Sequence, residues 1–396
     1  MRESVEPADK VRSGIGTSQL DDSVAAGRRA ASEAMSGLGG TPADLVIAYG
    51  SVRYDLPAAL AAIRDVTGGA PLVGASSSGH LHGGSLMAPG DGIAVLALAG
   101  GGYRFGVAHA AHATADAFGA GQDIARAARR DGGSKAPPYE ALLVLSDGLS
   151  VDQLALLNGI HAVLGFAVPI IGGAAGDDRQ LNRTYVFWND TVLTGAAVGV
   201  WIGSTRPLSI VFGQGWQPTG MPVMVTSVDG PIVREIGGRD ALTVYHENFR
   251  HANPDDQVAT TRLGGYHSAH AFGLIQPDGS FVIKGAYVDD LGNLRTFSPL
   301  PQYAAIQVVS SGPDDLLEVG EATVKSALAD ADAGVVLVFD CVARLDILGE
   351  RGDEEAEALQ RGAGDVPTFG FYTYGEFART SSASGYHNAT IAAMAL

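Results

Sequence analysis

The chain has 396 residues, of which 46% are hydrophobic, 17% are charged and 54 are glycine. That length exceeds what one hydrophobic core ordinarily holds, and the composition suits compact α/β domains with many tight turns rather than a disordered or coiled-coil protein. The formal net charge of −17 repels phosphate backbones and anionic lipid surfaces, which weighs against nucleic acid and membranes as partners.

Acids and a proline occupy the first seven residues, where a secretion signal needs an apolar stretch, and no window approaches the ~18 apolar residues of a membrane-spanning helix. A soluble, cytoplasmic protein is expected. The single cysteine, Cys341, excludes an internal disulfide framework and a multi-cysteine zinc site.

In chain order, a polar N-terminal arm over 1–17 precedes a helix expected from Ser18 to Leu38, with Asp21 and Asp22 suiting its N-terminal dipole. Asp44 to Ser51 is an apolar run bounded by turn residues, as in a strand covered on both faces. A helix follows over Leu56–Val66. Next come a strand and small-residue turn at Pro71 to Gly79 and a strand at Ile93–Ala99.

The same order returns twice. Leu142–Gly148 is a buried strand, Val151–Leu164 a helix, Pro169–Asp178 a strand and turn, and Thr194–Ile202 a strand. Near the end, Val335–Cys341, Asp353–Arg361, Pro367–Glu376 and Ala389–Ala395 repeat it. In each unit a proline opens the second strand, where no ladder donor is needed. Between the second and third repeats the texture changes to antiparallel strands and hairpins over Ser209–Trp216, Val223–Val228, Ile232–Ile236 and Phe281–Tyr287, with helices at Asp240–Arg250 and Asp314–Leu328. The expected class is α/β: two domains, 18–205 and 206–396, with mixed sheets flanked by helices and strand-helix-strand units repeated.

Ligands of α/β sheets gather at the carboxyl ends of strands. There the three tips differ: Ser76, Ser77 and Ser78; Gly173 with Asp177 and Asp178; Tyr372, Tyr374 and Glu376. If they meet, Asp177 or Asp178 should lie near both Ser77 and Glu376. The serines would donate hydrogen bonds to a ligand or form turns, and the carboxylates would recognise an amine or cap a turn. Alternation places Tyr372, Tyr374 and Glu376 on one strand face, a cation box or an edge with hydroxyls in water. His246, His251, His267 and His270 cluster around a polar loop without a metal-binding spacing, so they read as solvated, with His246, His267 and His270 as candidate haem ligands. No phosphate loop or nucleophile elbow occurs, and Cys341 reads as an inert thiol unless Arg344 activates it.

These residues together resemble the FIST family, bacterial sensory modules built from N-terminal and C-terminal FIST domains. The resemblance is carried by Asp44 to Ser51 with Tyr54-Asp55, Val73 to Gly79, Gly172 to Asp178, Cys341 to Arg344, and Gly370 to Glu376 followed by His387-Asn388-Ala389-Thr390. It implies a signal-input protein for small ligands, with amino acids or related metabolites as the class and Asn388 joining the tips as a ligand-binding residue. It also implies an alternative, a haem-binding nitric-oxide sensor. The family's Cys-Ser-Thr is Ala75-Ser76-Ser77 here, so a role for that cysteine does not carry over. With no output segment after Leu396, signalling through a separate protein is expected. An enzyme acting on a small polar metabolite is the remaining alternative, without a recognisable catalytic order.

Overall fold

Pro71, Pro169 and Pro367 each open a strand, and each offers its carbonyl to the amide of a parallel neighbour: Val46 to Pro71 at 2.9 Å, Leu142 to Pro169 at 3.0 Å and Val336 to Pro367 at 2.9 Å. That recurrence sets the architecture in the computed structural model, which describes residues 10–133, 137–249, 270–276, 279–289, 291–379 and 385–396.

The first unit comprises β1 (Arg12–Ser18), α1 (Ser23–Gly37), β2 (Leu45–Gly50), α2 (Leu56–Val66), β3 (Leu72–Ser76), the hairpin β4 (His80–His82) and β5 (Ser85–Met87), and β6 (Ile93–Ala99). The second repeats it as β7 (Tyr103–Ala110), α3 (Ala117–Asp131), β8 (Tyr139–Ser146), α4 (Gln153–Leu164), β9 (Ile170–Ala174), β10 (Val186–Trp188), β11 (Thr191–Leu193) and β12 (Ala197–Ser204). The third begins with β13 (Ser209–Gly213) and is then interrupted by an insert: β14 (Gln217–Pro218), β15 (Val223–Asp229), β16 (Ile232–Ile236), β17 (Arg239–Asp240), α5 (Ala241–Phe249), β18 (His270–Ile275), β19 (Phe281–Lys284), β20 (Ala286–Val288), β21 (Leu294–Thr296) and β22 (Ala305–Ser310). It resumes with α6 (Pro313–Ala327), β23 (Val336–Cys341), α7 (Val342–Leu348), α8 (Gly352–Ala363), β24 (Thr368–Thr373), β25 (Glu376–Arg379), β26 (Tyr386–His387) and β27 (Ile391–Ala395).

Among the described residues the strands form three six-stranded sheets and one nine-stranded sheet, the last made by the insert. The six-stranded sheets share one plan: β1-β6-β2-β3-β10-β11, β7-β12-β8-β9-β25-β26 and β13-β27-β23-β24-β4-β5. Only β2–β3, β8–β9 and β23–β24 run parallel within these sheets. Each sheet ends in a hairpin lent by another unit, in a closed cycle: the first lends to the third, the second to the first, the third to the second.

The inner faces of the three sheets pack on one another around Ile47, Tyr49, Val73, Leu143, Phe339 and Phe371, all buried. Tyr49 stacks on Phe369 at 5.1 Å and meets Phe371 at 4.3 Å. The outer faces are covered by the helix pairs α1–α2, α3–α4 and α6–α8, so the central strands are covered on both faces and read as apolar runs with polar residues only near their ends. Gly74, Gly172 and Gly370 stand at matching places in β3, β9 and β24. A Cβ there would come within 1.9, 1.8 and 2.0 Å of the carbonyl oxygens of Ala48, Val144 and Val338, so each parallel pair approaches too closely for any side chain.

The mixed α/β class with helix-flanked sheets holds, and the structure corrects two details. Residues 12–18 form strand β1, paired with β6 in register from Arg12↔Ala99 to Ser18↔Ile93, rather than part of a polar arm. Helix α1 starts at Ser23, because the Asp22 side chain accepts the Ala25 amide and caps it. The division at 205/206 falls between β12 and β13, while the β4–β5 hairpin from before it pairs with β24 after it.

Candidate functional site

The three strand tips meet. The Ser78 amide donates to the Tyr372 carbonyl at 3.1 Å, the Tyr374 amide to Ala174 at 3.0 Å, and the Gly176 amide to Ser76 at 3.0 Å, a triangle in which each unit bonds the next. Three further bonds return around it: Tyr372 N–H to Gly79, Ala174 N–H to Gly375 and Ser76 N–H to Tyr185, at 2.9, 2.8 and 2.9 Å. The serines are fully buried within this junction. Ser76 Oγ donates to the Gly176 carbonyl at 2.6 Å and accepts the Tyr185 amide at 2.9 Å. Ser77 Oγ pairs with His80 Nε2 at 2.9 Å, and burial pushes that imidazole down to about 3, so it is neutral. Ser78 Oγ accepts the Arg179 amide at 3.3 Å.

Asp177 and Asp178 leave the second tip in opposite directions. Asp177 accepts three backbone amides, from Leu181 at 2.9 Å, Asn182 at 2.6 Å and Arg183 at 2.8 Å, and also the Tyr374 hydroxyl. Asp178 accepts Ser51 Oγ at 2.7 Å and the amides of Val52 at 2.9 Å and Gly90 at 2.8 Å. Burial raises the Asp178 carboxyl despite these donors. Its own amide donates to the Ser77 carbonyl at 2.9 Å. The expected neighbours of Ser77 are thus present, whereas Glu376 makes its hydrogen bonds with Thr373 and Thr390. Gly173 is the residue that pairs with Glu376, between β9 and β25.

Tyr372, Tyr374 and Glu376 do not form one box. The alternation breaks at the turn after Thr373, where Gly375 takes φ +156, so the three side chains leave in three directions. The Tyr372 hydroxyl points into the third unit and donates to Glu355 at 2.6 Å. There Glu355 and Asp340 flank the fully buried Arg344, at 2.5 and 2.7 Å. Burial and the neighbouring Glu355 raise Asp340 well above the usual range, which fits two carboxyls sharing one guanidinium with a proton on Asp340. Arg344 is therefore engaged with these carboxyls and does not activate Cys341, whose thiol burial pushes up.

Glu376 and Asn388 belong to a second polar locus, at the carboxyl ends of β23 and β24 where the insert docks. The docking face is apolar around Trp216, Ile283 and Val309 against Cys341, Ala343 and Ala389, and the Trp216 indole donates to the Ala389 carbonyl at 2.8 Å. Glu376 is fully buried. It accepts Thr373 Oγ1 at 2.6 Å, Thr390 Oγ1 at 2.8 Å and the Thr390 amide at 3.2 Å. Burial outweighs these donors and lifts its carboxyl to about 7. Beside it, Asn388 accepts Ser298 Oγ at 3.3 Å and reaches the Tyr386 hydroxyl at 3.5 Å, and Ser298 accepts Lys284 Nζ at 2.6 Å. Burial lowers Lys284 to about 8. The buried His387 is lowered by burial to about 4, and its Nε2 sits 2.9 Å from the Ala378 carbonyl.

Sequence reasoning missed Lys284, Ser298 and Tyr386. The available signal was a lone lysine closing the apolar run Phe281-Val282-Ile283. Of the histidines named as haem ligands, His246 lies on α5 with its ring 6.0 Å from Tyr245. His251 and His267, and the side chain of His270, lie outside the described residues. Among the described residues no group of three or more His, Cys, Asp or Glu side chains is placed to hold a metal ion, and no helix is long and apolar enough to cross a membrane.

The family model of the FIST N domain matches residues 44–239, and that of the FIST C domain matches residues 241–379. An uncharacterized protein of Mycobacterium tuberculosis is 26% identical over 399 residues, covering 98% of this chain and 99% of its own length. Another from Mycobacterium bovis is 28% identical over 236 residues, 57% of this chain and 60% of that one. Among solved structures, a cyanuric acid hydrolase from A. caulinodans aligns over 97% of this chain and 99% of its own, at 11% identity and a TM-score of 0.36, too slight a likeness to carry a function.

Proposed function

The chain belongs to the FIST family, and on that premise we propose that it is a small-molecule-binding sensory protein whose ligand is an amino acid or a related amine-bearing metabolite. The observation that carries this reading is Glu376. It is a fully buried carboxyl at a strand tip, and among the described residues its hydrogen-bond donors are hydroxyls, an amide and the Cys341 thiol, with no basic side chain paired to it. A buried carboxylate without a cation is costly, and a ligand ammonium supplies the missing charge. The site lies where the insert meets the third unit, so occupancy alters the packing between them, and a separate signalling protein reads that change. Asp177 and Asp178, with their oxygens engaged by amides and hydroxyls, support the tip junction beside the site.

A thermal-shift screen of amino acids and polyamines tests this. A ligand at 100-fold over its Kd adds about 2.7 kcal/mol to stability. The proposal expects such a shift with the unmodified protein and its loss in Glu376→Gln. A screen without stabilisation, or equal affinity in the variant, overturns it. A ligand recovered chemically unchanged after incubation separates binding from turnover.

A further inference from the structure

Lys284 ends strand β19 with its ammonium inside the layer between the insert and the third unit, 4% exposed. An ammonium has three protons to place. One goes to Ser298 Oγ at 2.6 Å, the Tyr386 ring centroid stands 6.0 Å away, and among the described residues no carboxylate oxygen lies within 4 Å. A neutral hydroxyl is a poor counter-ion, and an unpaired buried charge is among the more costly features a fold can keep. The titratable groups around it do not relieve this. His387 is neutral with its Nε2 at a carbonyl, Tyr386 and Cys341 are held protonated by burial, and Glu376 makes its bonds with Thr373 and Thr390.

We propose that Lys284, Ser298 and Asn388 form the seat of a carboxylate group on the ligand, so that the layer takes a zwitterion: its carboxylate on Lys284 and its ammonium on Glu376. The Ser298 hydroxyl, now turned to Asn388, and the Asn388 amide supply neutral donors beside the ammonium. Ser298, Asn388 and Tyr386 form a polar chain that starts at Lys284, and a ligand reaching from it to Glu376 provides the opposite charge that neither group has among the described residues. The net charge of −17 favours the same class, since a simple anion approaches against the field whereas a zwitterion carries no net charge into it. The ammonium half rests on the function proposed above. The carboxylate half stands on Lys284 alone.

The two halves are separated by isothermal titration of the full chain with acetate and propionate as carboxylate probes, ethylamine as an amine probe, and glycine as both. Acetate and propionate are expected to bind the unmodified protein and to weaken about tenfold or more in Lys284→Met. Binding at pH 8 is expected to take up protons, read as a dependence of the heat on buffer ionisation enthalpy, because a seated carboxylate holds Lys284 charged. Equal affinity in Lys284→Met, or no binding of either probe, overturns the inference. If Lys284→Met does not fold, the proton uptake by the unmodified protein decides alone: binding without it overturns the inference. Failure of the amine reading is distinct, appearing as indifference to ethylamine and unchanged glycine affinity in Glu376→Gln while the acetate result persists.

Discussion

The second strand tip and the docking layer of the third both hold buried acids, yet they treat charge in opposite ways. At the second tip Asp177 collects three backbone amides and a phenol, and its unit neighbour Asp147 collects the hydroxyls of Thr184 and Thr194 with the amides of Gly195, Leu149 and Ser150. Burial by itself would raise Asp147, but these donors carry it below the usual carboxylate range. In the docking layer burial lifts Glu376 to about 7 and lowers Lys284 to about 8, and among the described residues neither is paired with an opposite charge. A carboxylate saturated by amides is an anchor of the backbone. A charge left without a partner is a place kept for something else.

The largest effect should come from breaking an anchor. Asp177→Ala strips acceptors from three amides and the Tyr374 hydroxyl, and a loss of about 3–5 kcal/mol in urea unfolding is expected. A mild loss there would erase the contrast. Next is the pH dependence of Glu376→Gln. The folded carboxyl keeps its proton to about 7 against the usual 4.5, so its contribution is intact below 4.5 and is lost as pH rises through 7. The variant lacks that loss, and its stability relative to the unmodified protein should climb by up to about 3 kcal/mol across the window, followed as Tm against pH. Lys284→Met should stabilise the ligand-free protein by about 1–2 kcal/mol at pH 7. The sign follows from a folded pKa lowered from 10.5 to about 8: the cost of the buried ammonium is present below 8 and fades between 8 and 10.5, so the advantage of the variant should shrink over that interval. Ser298→Ala, which removes the hydroxyl that Lys284 bonds, should cost about 1 kcal/mol, the smallest change and a check that Ser298 is support rather than anchor.

The parallel strand pairs were legible because both their faces are covered: Leu45–Gly50, Leu142–Ser146 and Val336–Cys341 are apolar except for Ser146 and Asp340 near their carboxyl ends, and a proline marks the partner each time. The helix over Leu56–Val66 and the strands over Ile93–Ala99 and Ile232–Ile236 occur with the expected bounds. Strand β1 was hidden because Gly14 and Gly16 lie against α1, where a Cβ would come within 1.9 Å of the Ala34 carbonyl and 2.0 Å of that of Ala30. Its helix-facing positions are empty by necessity and give no hydrophobic alternation. The lent hairpins were hidden for another reason. Strands of two to four residues carry almost no periodic signal, and their partners lie far along the chain, as in His80↔Phe371. The convergence of the tips could be posed from the repeated prolines, but the partners of each side chain depend on that exchange. Tyr372 faces Glu355 and Glu376 faces Thr390 because β25 belongs to the second sheet while β24 belongs to the third.

The exchanged hairpins make the molecule a closed ring of clasps, each unit fastened by an arm of another. A chain ended after β12 would leave the outer edge of β9 bare where β25 pairs, and would send out β4 and β5 with no sheet to join, an invitation to edge-to-edge association. The two family domains are therefore divisions of the sequence and not parts that come away in the hand. The clasp that begins at Glu376 belongs to the third unit and closes the second, so whatever grips that carboxyl tightens two sheets at once.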